Sequence, residues 1–218
     1  MNKVLSVWKP KNITSYDIIR KVKSINNSFK IGHCGTLDPF AEGIVILCFG
    51  EYTKRINQYM NYNKTYLATI KLGCETDTLD NTGEIIKSNK DKLQFNREDL
   101  SKILSKYIGE IYQIPPYFSA KKINGIRMYR YARNDIFIKP KPFKIKINSI
   151  DVIDFTCDTI CLKIDCEKGT YIRSLARDIS YELNTFGYLS KLERISIGNF
   201  NKDNSLSLKE LESCISID

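Results

Sequence analysis

The sequence predicts an α+β chain with a central mixed, largely antiparallel sheet flanked by helices and loops. Apolar residues recur at two periods, alternating in some segments and at helical spacing in others. The two kinds of segment follow one another without the regular strand–helix–strand alternation of a parallel sheet. A chain of 218 residues also buries roughly 70% of its unfolded surface, so no disulfide or metal is needed to hold a core.

The elements read as follows. Val4 to Lys9 is a strand ending at Pro10, and Thr14 or Ser15 caps a helix whose apolar positions are Ile18, Ile19, Val22 and Ile25. Ile44 to Phe49 is a continuous apolar run between two glycines, the pattern of a buried strand. Tyr66, Ala68, Ile70 and Leu72 alternate with their neighbours as another strand. Leu100, Ile103, Leu104, Tyr107 and Ile108 give a helix started by Asn96 and stopped at Gly109. Asn124-Gly125 is the strongest hairpin signal in the chain. Phe143, Ile145 and Ile147 form a strand with one apolar and one basic face; Ile160, Leu162, Ile164 and Cys166 form the next. That strand turns at Gly169 into a helix carrying Ile172, Leu175, Ala176, Ile179 and Leu183, and a short helix from Leu208 to Ile215 closes the chain. Without linkers or repeats, residues 1–218 are expected to form a single domain.

Charge narrows the function. The net charge is +9, which favours a polyanionic partner because each neutralised phosphate releases a counterion. Residues 121–146 hold nine Lys and Arg against one acid, Asp135, so nearly all of the excess sits there. Tyr129, Tyr131, Phe137 and Phe143 are interleaved with Lys121, Lys122, Arg127, Arg130, Arg133, Lys139, Lys141, Lys144 and Lys146. That composition suits phosphate contact plus base stacking. No apolar run reaches the roughly 18 residues of a membrane span, so the chain is read as cytoplasmic, with no membrane partner. The seven cysteines contain no CxxC pair and are read as reduced and structural. No metal site is expected.

The densest loop signal is Gly32-His33-Cys34-Gly35-Thr36-Leu37-Asp38-Pro39-Phe40-Ala41-Glu42-Gly43. Its glycines and proline hold the backbone outside helix or strand geometry. It carries the only histidine and an aspartate restricted to extended φ/ψ by the proline after it. By pattern alone it is either a tight structural turn, with Asp38 bonding nearby N–H groups, or a loop presenting a carboxylate for chemistry.

The same residues resemble the catalytic loop of the TruB family, bacterial tRNA pseudouridine-55 synthases. Lys9-Pro10 with Thr14-Ser15 is similar to that family's KPxGxTS motif, and Lys64-x-Tyr66 to its KxY strand. Leu72-Gly73 with Thr76-Asp77-Thr78-x-Asp80-x-x-Gly83 resembles its LGxxTDTxDxxG stretch. Gln113-x-Pro115-Pro116-x-x-Ser119-Ala120-x-Lys122 is similar to its QxPPxxSAxK segment. Lys168 to Ser174 resembles KGTYIRS, and Leu192-Glu193-Arg194 its LxR turn. Two departures stand out. Trp8 replaces the acid usual before KP, and the chain stops where members usually continue into a C-terminal RNA-binding, often PUA-like, domain.

The resemblance implies the pseudouridine-synthase catalytic fold and conversion of a tRNA uridine, expected to be uridine 55 in the T-loop, to pseudouridine. The N-glycosidic bond breaks, the uracil turns, and C5 joins C1′. As an isomerisation this needs no cofactor. Asp38 is implied as the catalytic carboxylate, Arg173 as its guanidinium partner, and Tyr66 as the ring stacking on the flipped base and assisting at C5. His33, Tyr171 and Leu192 are implied to bind substrate. The segment at 121–146 is implied to be an insertion closing on the T-stem-loop, with Lys121, Lys122, Arg127, Arg130 and Lys144 contacting RNA. The chain is expected to act as a monomer. Two alternatives stay open on the residues: a tRNA-binding or chaperone protein without catalysis, and a metal-dependent RNA hydrolase using Asp77 and Asp80.

Overall fold

A computed structural model describes residues 2–89, 93–119, 121–123, 125–132, 134, 136, 138 and 140–217, with the backbone alone at Lys122 and Ile217. Along the chain lie β1 (Val4–Lys9), α1 (Ser15–Ile25), β2 (Ile31–His33), β3 (Glu42–Phe49), a 3-10 turn running into α2 (Ile56–Met60), β4 (Lys64–Leu72), β5 (Cys74–Thr76) and β6 (Ile85–Ser88). There follow α3 (Arg97–Ser105), β7 (Gly109–Gln113), β8 (Lys122–Ile123), β9 (Ile126–Arg127), α4 (Met128–Ala132), β10 (Phe143–Phe155), β11 (Thr159–Cys166), α5 (Ile172–Glu182), β12 (Gly187–Ile197), β13 (Phe200–Asn201) and α6 (Leu208–Ile217). The main sheet runs β1-β3-β12-β4-β11-β10-β7, with β2 on β3 and β13 on β12. Its β3–β12 pairing is parallel and its β1–β3 and β7–β10 pairings are antiparallel. This is the α+β, mixed-sheet class read from the sequence.

The chain divides into two compact units. Residues 1–67, 165–168 and 192–218 form the first. Its core is β3, every residue of which from Gly43 to Phe49 is buried. α1 buries Ile18, Ile19 and Val22 on one face; Thr14 caps it, sharing a capping box with Asp17. Residues 68–164 and 169–191 form the second unit. There Ile145 and Ile147 of β10, Ile160, Leu162 and Ile164 of β11 and the inner face of α5 are buried.

Two expectations are corrected. α3 ends at Ser105 rather than running on to Gly109, which instead opens β7. Gly109 has φ +98, and the turn N–H groups of Lys106, Tyr107 and Ile108 bond three residues back, the tightening usual at a helix end. Leu192-Glu193-Arg194 is not a turn but the middle of β12. The expected hairpin is present as β8–β9, with Gly125 at φ +81; Asn124 lies outside the described residues, as do Ala120, Arg133, Asp135, Phe137 and Lys139.

Candidate active site

In the first unit the loop between β2 and β3 is fastened at almost every step. The Cys34 amide donates to the Ile46 carbonyl (2.9 Å), and Asn12 donates to Pro39 (2.7 Å). The Leu37 amide donates to the Ser15 hydroxyl at 2.9 Å, which donates back to the Leu37 carbonyl at 3.2 Å. Ala41 N–H donates to Asp38 C=O at 3.2 Å, closing a turn over Pro39-Phe40. Asp38 itself stays partly open to solvent between buried Leu37 and buried Phe40.

Two buried cations finish the fastening. Lys9 is 0% exposed. Its ammonium donates to the carbonyls of Pro10 (2.8 Å), Ile13 (2.8 Å) and Ala41 (2.6 Å), with that of Pro39 at 3.4 Å. Burial pushes its pKa down to about 8, aided by the charge of Arg194 and opposed by those of Asp38, Glu42 and Asp17. Arg194 is 1% exposed. Its Nε donates to Ile44 O at 2.7 Å, Nη1 to Thr36 O at 3.2 Å, and Nη2 to Gly35 O at 3.4 Å. Where the loop re-enters the sheet, Gly43 has φ +124, and a Cβ there would stand 2.3 Å from the Arg194 carbonyl oxygen. Only glycine lets β3 and β12 approach this closely.

Tyr66 projects from β4 into the same surroundings. Burial raises its phenol pKa, while the charge of the Arg194 guanidinium opposes the rise; the Asp38 charge reaches it too. Lys64, two residues earlier on the same buried face, donates to the carbonyls of Met60 (2.6 Å) and Tyr62 (2.5 Å). Burial lowers its pKa to about 8. Leu192 is buried two residues before Arg194, and His33 sits half-buried at the end of β2. The first unit thus carries a partly exposed carboxylate, on a loop tied down by a buried guanidinium, within electrostatic reach of a buried phenol.

The second unit carries Arg173 and Tyr171. Tyr171 precedes α5, where its amide donates to Gln113 Oε1 at 2.8 Å and its carbonyl accepts from Gln113 Nε2 at 3.1 Å. Arg173, in the first turn of α5, is 5% exposed. Its Nη1 donates to Thr78 O at 2.7 Å and lies 3.4 Å from Asp80 Oδ2, and Nη2 donates to Phe118 O at 2.9 Å. A cation gains nothing from a helix N-terminus; here it is held instead by a buried carboxylate and two carbonyls. Asp80 Oδ1 accepts from the Thr78 hydroxyl and from the amide and hydroxyl of Thr82. Asp77 Oδ1 accepts from the amides of Thr78 and Glu84. A Cβ at Gly83 would lie 2.1 Å from that Asp77 oxygen. Both aspartates therefore organise the turn that carries Thr78, and Asp80 holds Arg173.

A family model described as TruB family pseudouridylate synthase (N terminal domain) matches residues 20–172. The chain belongs to that family. Among curated relatives, tRNA pseudouridine synthase B of Clostridium tetani (strain Massachusetts / E88) is 42% identical over 211 residues, covering 97% of this chain and 73% of the relative. The enzyme of the same name from Borreliella afzelii (strain PKo) is 42% identical over 212 residues, covering 96% and 74%. A crystal structure of a Cbf5-Nop10-Gar1 complex matches with TM-score 0.74 at 24% identity, over 96% of this chain and 53% of that one. An H/ACA RNP bound to a substrate RNA containing 2′-deoxyuridine matches at TM-score 0.70 and 22% identity, over 96% of this chain and 52% of that one. This chain spans about half of each of those two structures' chains, and the likeness establishes the pseudouridine-synthase fold. As a TruB-family pseudouridylate synthase the protein is an isomerase.

Among the residues the sequence singled out, the first unit brings together Asp38, Tyr66 and Leu192, and the second holds Tyr171, Arg173 and Asp80. Sequence reading missed Lys9, Lys64 and Arg194 as functional cations. A signal was available. Lys64 shares the parity of Tyr66, Ala68, Ile70 and Leu72, so a lysine stands on the apolar face of its strand. Arg194 likewise shares the parity of Leu192.

The basic segment looks quite different. Arg127 and Arg130 are exposed. Lys121 sits 3.4 Å over the Phe143 ring and its pKa is lowered by burial. A hydrogen bond from Arg130 lowers the Tyr129 phenol pKa. Lys144 is paired with Glu110 at 2.6 Å, both side chains exposed. No helix among the described residues is long and apolar enough to cross a membrane.

Proposed function

We propose that the chain isomerises a uridine of tRNA, the one at position 55 in the T-stem-loop, to pseudouridine, with Asp38 as the catalytic carboxylate. The observation that carries this is the loop itself. Amides, a hydroxyl and two buried cations fix the backbone on both sides of Asp38, while Asp38 remains partly exposed. A reacting group held to a fraction of an ångström on a rigid scaffold is what orientation-driven catalysis requires. The carboxylate serves the routes open to this reaction: attack on C1′, addition at C6, or proton removal in a glycal route. Arg173 favours the ionised carboxylate, and Tyr66 stacks on the everted uracil and assists at C5. In this reading His33 fills the stack that the uridine vacates, and Tyr171 and Leu192 contact the uracil.

Everting a stacked base costs a few kcal/mol, and stacking on an aromatic ring recovers roughly 1–3 kcal/mol of it. Lys121, Lys122, Arg127, Arg130 and Lys144 supply the phosphate contacts that place the loop, and the chain acts as a cytoplasmic monomer on folded RNA read by shape and unstacked bases.

The test is tritium release from tRNA labelled with [5-³H]uridine. Release by the unaltered chain is expected to persist in EDTA. In Asp38→Asn it is expected to fall at least about 1,000-fold while tRNA binding stays intact. Binding without release from any tRNA by the unaltered chain would instead favour an RNA-binding protein.

A further inference from the structure

The geometry points to Arg194 as a positioning residue for the isomerisation: its buried guanidinium fastens the loop that carries Asp38, so this one side chain sets where the carboxylate stands. This rests on the role proposed above for Asp38.

The Arg194 hydrogen bonds go to the main-chain carbonyls of Gly35, Thr36 and Ile44. Gly35 and Thr36 lie three and two residues before Asp38, in a stretch with no strand partner of its own. Ile44 is in β3, immediately beyond the loop. The guanidinium therefore ties the loop's free stretch to the strand that follows it. Burying a cation against neutral dipoles costs more than packing an aliphatic side chain at the same inward position of β12. An arginine there is the more expensive way to fill space, and what it gains is a planar fork that holds several acceptors in fixed directions. Backbone contact reinforces the fork, since Arg194 pairs in register with Gly43, where the loop rejoins the sheet.

The experiment uses the full chain and [5-³H]uridine-labelled tRNA under single-turnover conditions, with tRNA affinity measured separately. The chain is compared with Asp38→Asn and Arg194→Lys. Lysine keeps the charge but cannot hold three carbonyls together. The Arg194→Lys rate is expected to fall about 100-fold, as for a small misplacement of reacting groups, with the tRNA Kd changed less than about threefold. A rate near that of the unaltered chain, or parallel losses in rate and affinity, would each overturn the proposal.

If Arg194→Lys does not fold, Arg194→Gln takes its place. If neither folds, the arginine is a folding residue and the proposal is wrong. Absence of release by the unaltered chain would sink the proposed function and this inference together. Full activity of a folded Arg194 variant beside an inactive Asp38→Asn would sink this inference alone.

Discussion

The loop from Cys34 to Gly43 and the segment from Lys121 to Lys146 both depend on Lys and Arg, yet they use them oppositely. Around the loop, Lys9 and Arg194 are out of solvent and spend their N–H groups on backbone carbonyls. In the basic segment β8, β9 and α4 are two to five residues long, and Arg127 and Arg130 face solvent. A buried cation with fixed acceptors sets backbone geometry and is screened little by salt; an exposed one contributes a field that falls off within about 8–10 Å at ordinary ionic strength. Net charge alone hides this division. Residues of the first kind should control turnover, and those of the second affinity.

Arg173 gives the sharpest way to break that division, because it is a buried cation in the unit that also carries the basic segment. If burial decides the role, Arg173→Lys should lower single-turnover rate about 100-fold, since the planar fork to Thr78 and Phe118 is lost, with affinity for tRNA nearly unchanged. Equal losses in rate and affinity would place Arg173 among the RNA contacts. In the basic segment the expectation reverses. Arg127→Ala and Arg130→Ala should each weaken tRNA binding about threefold to tenfold and reduce the salt dependence by about one counterion. Chemistry at saturating enzyme should be untouched; a binding curve insensitive to salt would remove these arginines from the interface.

Lys144 refines the comparison from within the segment. It already holds Glu110, so removing it deletes a positive charge while freeing a negative one nearby. Exposed pairs of this sort contribute about 0–1 kcal/mol to folding, so the thermal midpoint of Lys144→Ala should barely move. Its effect on affinity should fall below that of Arg127→Ala if Lys144 stays with Glu110 in the complex. A larger effect would mean that RNA displaces the carboxylate.

What the sequence made legible follows the same physics. α1, β3, β4, β11 and α5 were readable because most of their buried positions are apolar, periodic in four of them and continuous in β3. β12 was not, because its stretch from Gly187 to Ile197 mixes in serines, a lysine and a buried arginine, residues that a hydrophobic pattern counts as surface. β2 and β5, three residues each, are too short to show any period. In the site, Asp38 and Tyr66 were reached through their motifs. The cations that fasten the loop were overlooked because a buried charge contradicts the rule by which cores are recognised. Lysines and arginines sharing the parity of an apolar strand face are the places where that rule is broken for a purpose.

The smallest predicted effect tests whether Lys9 and Lys64 are truly that deep. Burial lowers both pKa values from the ordinary 10.5 to about 8. Below about pH 8 the folded and unfolded chains both keep these protons, and the cost of burying charge is present in full. Between about pH 8 and 10.5 the folded chain releases protons that the unfolded chain still holds. Stability conferred by these two groups therefore rises with pH across that window. Removing Lys64 leaves the carbonyls of Met60 and Tyr62 without their donor, so Lys64→Met should melt lower than the unaltered chain throughout. Its melting temperature should nevertheless climb less steeply from about pH 8 upward, because one of the two releasing groups is gone. Parallel melting curves for the two proteins would mean that Lys64 keeps an ordinary affinity for its proton. It would then belong with the exposed cations of the basic segment rather than with those that hold the loop.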